Sequence, residues 1–87
     1  MDLIQVGEAR LNITWAGGNG ELRDTISFDA PDADIKRWAA EAVSSGSVPG
    51  IAADPHVDFT DFVVDRFGPN ETRPHSICML RAKTPFG

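Results

Sequence analysis

The side chains best suited to holding a metal ion lie between positions 54 and 65. Asp54-Pro55-His56-Val57-Asp58 alternates carboxylate, imidazole and carboxylate, and Asp61 and Asp65 follow. Oxygen-rich ligands with one histidine suit a divalent cation. These ligands sit in a proline-containing loop and then run along a strand, without the fixed spacing of a dedicated metal loop. They read more simply as a solvated acidic loop leading into outward strand positions. His75 adjoins Ser76 and precedes Cys78 by three residues, so it could serve a nucleophile. No third group orients it, and no motif supplies an oxyanion hole. His75 therefore reads as a surface residue at the start of a strand. Cys78 lies in the apolar run Ile77-Cys78-Met79-Leu80 with no adjacent cation, which predicts packing as a small hydrophobe. Gly17-Gly18-Asn19-Gly20 could cradle a phosphate only if a helix followed. A strand pattern follows instead, so the glycines read as a hairpin turn. These residues assign no catalytic, cofactor or metal role, and the expectation is a protein without enzymatic activity.

Composition narrows the classes further. Eighty-seven residues, 41% hydrophobic and 24% charged, suit one small globular core. The net charge of -5 opposes sequence-independent binding to nucleic acid or to an anionic membrane. After Glu71 the chain carries no further acid, whereas Arg73, Arg81 and Lys83 remain, so a basic end follows an acidic body. No apolar run reaches the roughly 20 residues of a membrane span. The first residues lack a basic segment followed by an apolar core, and a lone cysteine forms no internal disulfide. A cytoplasmic protein is expected. On that expectation the two Asn-x-Thr sequons, at Asn12 and Asn70, are chance occurrences.

The elements that position these residues follow from periodicity. Leu11, Ile13 and Trp15 alternate with Asn12 and Thr14; beyond the glycines, Leu22, Asp24, Ile26 and Phe28 alternate with Arg23, Thr25 and Ser27. Period two on both sides of a glycine turn predicts an antiparallel hairpin with one buried face. Leu3 to Val6 reads as an extension of its first strand through a bulge at Gly7. The period then changes to 3.6. Ile35, Trp38, Ala39, Ala42 and Val43 form one apolar stripe, with Asp29 or Asp32 as cap, Pro31 at the start and Gly46 as the left-handed stop. Lys36 and Arg37 lie on the other face, within reach of nearby acids. Phe59 to Phe67 is a strand candidate; either Phe62 and Val64 or Val63 and Phe67 face inward. Gly68-Pro69-Asn70 turns the chain. Ser76 to Ala82 is the last strand, and its unbroken apolar centre predicts a central strand buried on both faces. Trp15 and Trp38 both fall in core positions.

Hairpin, helix, connector with Gly46-Ser47-Val48-Pro49-Gly50, strand, turn and final strand resemble the ubiquitin-like β-grasp family. The resemblance covers nearly the whole chain. It implies an α+β fold, a mixed sheet of four to five strands packed on one α-helix, with the first and last strands side by side. The expected organisation is one domain over 1–82 and a tail over 83–87. Modifiers of that family end in Gly-Gly on a flexible tail, which an E1-like activating enzyme adenylates. Here Gly87 alone matches, with Pro85 and Phe86 before it. The resemblance implies a small protein acting by protein–protein contact, or a modifier attached through Gly87, with Arg81, Lys83, Phe86 and Gly87 as the interaction or conjugation residues. The expected partner is a protein, with no direct contact to nucleic acid and none to membrane. A second reading is a small acidic inhibitor or antitoxin-like protein, of the kind a phage encodes. Its Asp54, Asp58, Asp61 and Asp65 would block a basic nucleic-acid-binding surface.

Overall fold

A computed structural model describes residues 7–83. Leu3 to Val6, Phe86 and Gly87 lie outside the described residues. Among the described residues the elements run β1 (Glu8–Trp15), β2 (Gly18–Glu21), β3 (Ile26–Ser27), α1 (Asp32–Ser44), β4 (Phe62–Phe67) and β5 (Ser76–Ala82). The strands form one mixed sheet in the order β2-β1-β5-β4, with β3 paired to the start of β1. β1 and β5 run parallel, Leu11 opposite Cys78 and Ile13 opposite Leu80, while β4 is antiparallel to β5. One helix packs on this sheet, and the fold is an α+β β-grasp.

The core lies between helix and sheet. Ala9, Leu11 and Ile13 of β1, Cys78 and Leu80 of β5, and Ile35, Ala39 and Val43 of α1 are fully buried. Burying each larger aliphatic side chain contributes about 1.5–3 kcal/mol. Trp38 and Ala42 flank the stripe, half-buried. Phe62 and Val64 are the inward pair of β4, and Phe67 faces out, 45% exposed. The helix ends as the sequence predicts. Gly46 has φ of 74°, its N–H donates to Val43 O, and the Ser47 N–H donates to Ala42 O at 2.8 Å, a Schellman stop.

Several expectations need correction. The hairpin turn is Ala16-Gly17, both at positive φ, and Trp15 pairs with Gly18 across a two-residue loop. Gly18 and Gly20 therefore belong to β2. Their hydrogens face the connector Val48–Ile51, and a Cβ on Gly20 would stand 2.9 Å from Val48 Cγ1 and strike the Pro49 carbonyl. Close backbone approach, rather than the turn, requires glycine at this position. The second hairpin arm is also interrupted. Asn12 opposes Glu21, but Ala9 opposes Ile26, so the pairing shifts by two residues around Arg23–Thr25. An even shift leaves Leu22 and Ile26 on the same face.

Neither Asp29 nor Asp32 caps α1, because Pro31 occupies the cap position and no side chain bonds there. Asp32 instead accepts a hydrogen bond from Arg66 Nη1 at 2.7 Å. Lys36 donates to the Thr60 carbonyl rather than to an acid, whereas Arg37 pairs with Asp34. The strand foreseen over Phe59 to Phe67 begins only at Phe62; Phe59 is buried in the connector. β5 is central, yet it is buried on the helix side alone, with Ile77 and Met79 half-exposed.

Gly20→Ala should lower stability by about 1–3 kcal/mol through overpacking, read as a shift in the urea midpoint. Gly68→Ala, with no atom within 4 Å of the new Cβ, should stay within about 0.5 kcal/mol. Equal midpoints for the two variants would contradict the close approach.

Candidate functional site

Alternation along each strand sorts the sheet into two faces. Ala9, Leu11, Ile13, Cys78, Leu80, Phe62, Val64 and Arg66 point to the helix side. Arg10, Asn12 and Thr14 of β1, Ile77, Met79 and Arg81 of β5, and Val63, Asp65 and Phe67 of β4 point away. Among the described residues no helix or strand covers that second face.

The uncovered face has two halves. Over β1 and β2 it is polar. Asn12 and Asn19 exchange amide hydrogen bonds at 3.1 and 2.9 Å, and Asn19 Nδ2 also donates to Thr14 Oγ1. Over β5 and β4 it is apolar: Phe67 opposes Ile77, and Val63 and Met79 lie on the same two strands. Arg81 donates to Asp65 diagonally across this apolar half, with the two side chains 44% and 31% exposed. An ion pair this exposed contributes at most about 1 kcal/mol. It also neutralises both charges beside the apolar residues.

Of the sequence-predicted tail residues, Arg81 thus sits on the sheet itself. Lys83 is exposed at the end of β5, where it shares a shallow recess with Asp61 and Val63. Phe86 and Gly87 lie outside the described residues. The acids assigned to a metal or to a basic partner are dispersed. Asp54 accepts from Trp15 Nε1 at 2.8 Å and from the His56 N–H at 2.9 Å. Asp58 accepts from both the hydroxyl and the amide of Thr60, and Asp65 takes Arg81. Three of the four acids are therefore engaged within the chain. Among the described residues no group of three His, Cys, Asp or Glu side chains converges on a metal position. His75 stands at the start of β5, while Cys78 is sealed in the core, where burial pushes its thiol pKa up.

Two residues gain roles that sequence patterning does not assign. Trp15 stacks edge-on against Phe59 at 5.3 Å, and Phe62 completes an aromatic cluster under the Asp54 carboxylate. Such pairs are each worth about 0.5–1.5 kcal/mol beyond area burial. Arg66 breaks the apolar alternation of β4 by pointing inward. It donates to Phe28 O at 3.2 Å, to Ala30 O at 2.5 Å and to Asp32, and so ties β4 to the segment leading into α1. A lone arginine at an inward strand position was the available signal.

Comparison with protein-family models, curated proteins and solved structures finds no match to this chain.

The hydrogen bonds from Trp15 and from the His56 amide lower the Asp54 pKa below the ordinary 3.8. A depressed folded-state value means that the contact stabilises the fold above the ordinary aspartate range and fades as pH falls through the lower folded-state value. The Trp15 indole N–H resonance should therefore titrate with a midpoint below 3.8, and Asp54→Asn should abolish that titration. A midpoint at or above the ordinary value would refute the assignment.

Proposed function

We propose that this chain is a small non-enzymatic ubiquitin-like protein that acts by protein–protein contact. Its working surface is the uncovered face of the sheet, continued by Arg81, Lys83, Phe86 and Gly87. In the modifier form of this reading, an E1-like enzyme activates the Gly87 carboxylate and the protein is joined to its target there.

The supporting observation is the apolar strip on β5 and β4. Val63, Phe67, Ile77 and Met79 occupy outward positions on two adjacent strands, and Phe67, nearly half exposed, is the most open large hydrophobic residue among the described residues. Water contact on grouped apolar side chains is unfavourable, and a partner relieves it. The same strand that bears Ile77 and Met79 leads directly to Lys83. A partner seated on the strip therefore has Lys83 within its reach.

Phe67→Ser together with Ile77→Ser should leave the fold intact, because neither side chain enters the core, and should reduce capture of the partner from the native host at least tenfold. A variant lacking Gly87 should retain that capture and lose any slower-migrating covalent adducts in host lysate. Capture unchanged by the strip variant would refute the working surface; adducts that persist without Gly87 would refute attachment there.

A further inference from the structure

A second surface, remote in chemistry from the apolar strip, lies where the second hairpin arm is interrupted. Leu22–Ser27 and the helix residues Trp38, Glu41, Ala42 and Ser45 enclose a groove of about 590 Å³. This volume is within the range of specific ligand sites, roughly 300–1,000 Å³. The two-residue shift in pairing makes the groove: it carries Arg23–Thr25 out of register with β1, opposite Arg10. Leu22, Ile26 and Ala42 supply apolar wall, and Trp38 is half-buried against the core.

The polar groups around this groove are short of partners. Asp24 and Glu41 are exposed, and neither carboxylate has a hydrogen bond or ion pair among the described residues. The Arg23 guanidinium is likewise unpaired, since only its backbone carbonyl is used, as acceptor for Arg10. Among the described residues the Trp38 indole N–H has no acceptor, in contrast to that of Trp15, which is held by Asp54. Two carboxylates against one guanidinium leave the groove net negative, in a chain that is itself at -5.

We infer that this groove receives an arginine side chain from an extended segment of a protein partner. The Trp38 indole that lines the groove and the carboxylates of Asp24 and Glu41 answer the two features of a guanidinium. Its flat, weakly hydrated plane stacks on an indole, and its fork of N–H donors pairs with carboxylates. Arg23, the base in the lining, sets the groove against segments that carry a second base beside the first. The contact is of the modest strength expected at an accessible site, so it selects among partners rather than binding one alone. It stands apart from the apolar strip, and variants here leave Val63, Phe67, Ile77 and Met79 untouched.

The test is a titration of ¹⁵N-labelled protein with acetyl-Ala-Arg-Ala-amide and its lysine and glutamate counterparts, to about 10 mM, where millimolar affinity is measurable. The arginine peptide should give saturable shifts at the Trp38 indole and at the amides of Asp24 and Glu41, the lysine peptide weaker ones, and the glutamate peptide none. Asp24→Asn combined with Glu41→Gln changes two exposed side chains without touching the core. It should weaken the arginine response roughly tenfold, two exposed ion pairs being lost. Absence of groove shifts with the arginine peptide, equal shifts with the glutamate peptide, or full affinity in the double variant would each overturn the inference.

Discussion

Parallel pairing of β1 with β5 is the constraint from which the rest of the molecule follows. Two parallel neighbours cannot be joined by a tight turn, so everything between them must act as a crossover. In this chain the crossover comprises the rest of the hairpin, the helix, the connector and β4. The pairing sets Ala9, Leu11 and Ile13 beside Ser76, Cys78 and Leu80, which creates an apolar floor wide enough for one helix. With β4 on its other side, β5 has neighbours along both edges, and its backbone groups are satisfied by the sheet. The helix stripe of Ile35, Ala39 and Val43 then has one place to be buried.

The same pairing makes the molecule two-sided. A helix of 13 residues is about 20 Å long and covers one face only. The other face keeps its polar half quiet through the Asn12–Asn19 amide exchange and the threonine beside it. Its other half stays apolar. A small domain has little surplus stability to spend on exposed hydrophobic residues, and the placement of Ile77 and Met79 on the strand that leads to Lys83, with Val63 and Phe67 on its neighbour, ties the proposed function to the topology. The groove on the opposite side of the hairpin follows from a different cause, the two extra residues at Arg23–Thr25. Two surfaces of distinct chemistry thus flank one core.

Much of this arrangement was legible from residue periods. Alternation in Leu11–Trp15 and the 3.6 spacing from Ile35 to Val43 report burial on one side of an element, which is a local property. The Gly46 stop and the central place of Ile77–Leu80 were readable for the same reason. What escaped depends on contacts between segments distant in sequence. Gly18 and Gly20 look like turn residues until Pro49 and Gly50 are seen to cross them. Asp32 looks like a cap until Arg66, on the far edge of the sheet, draws it away from the helix terminus. Ile77 and Met79 look fully buried because an apolar run cannot report that one side of a central strand has no covering layer. The acids from Asp54 to Asp65 suggest a shared ligand site, yet Asp54, Asp58 and Asp65 each answer a local or cross-strand donor.

Amide hydrogen exchange under native conditions tests the central pairing most directly. Amides of Leu11, Ile13, Cys78 and Leu80 should exchange slowest, opening only with global unfolding, while those of β2, β3 and the helix ends open by smaller excursions. Fast exchange on β5 together with full protection of the hairpin and α1 would contradict the account, because it would mean that those elements stand without the β1–β5 pair.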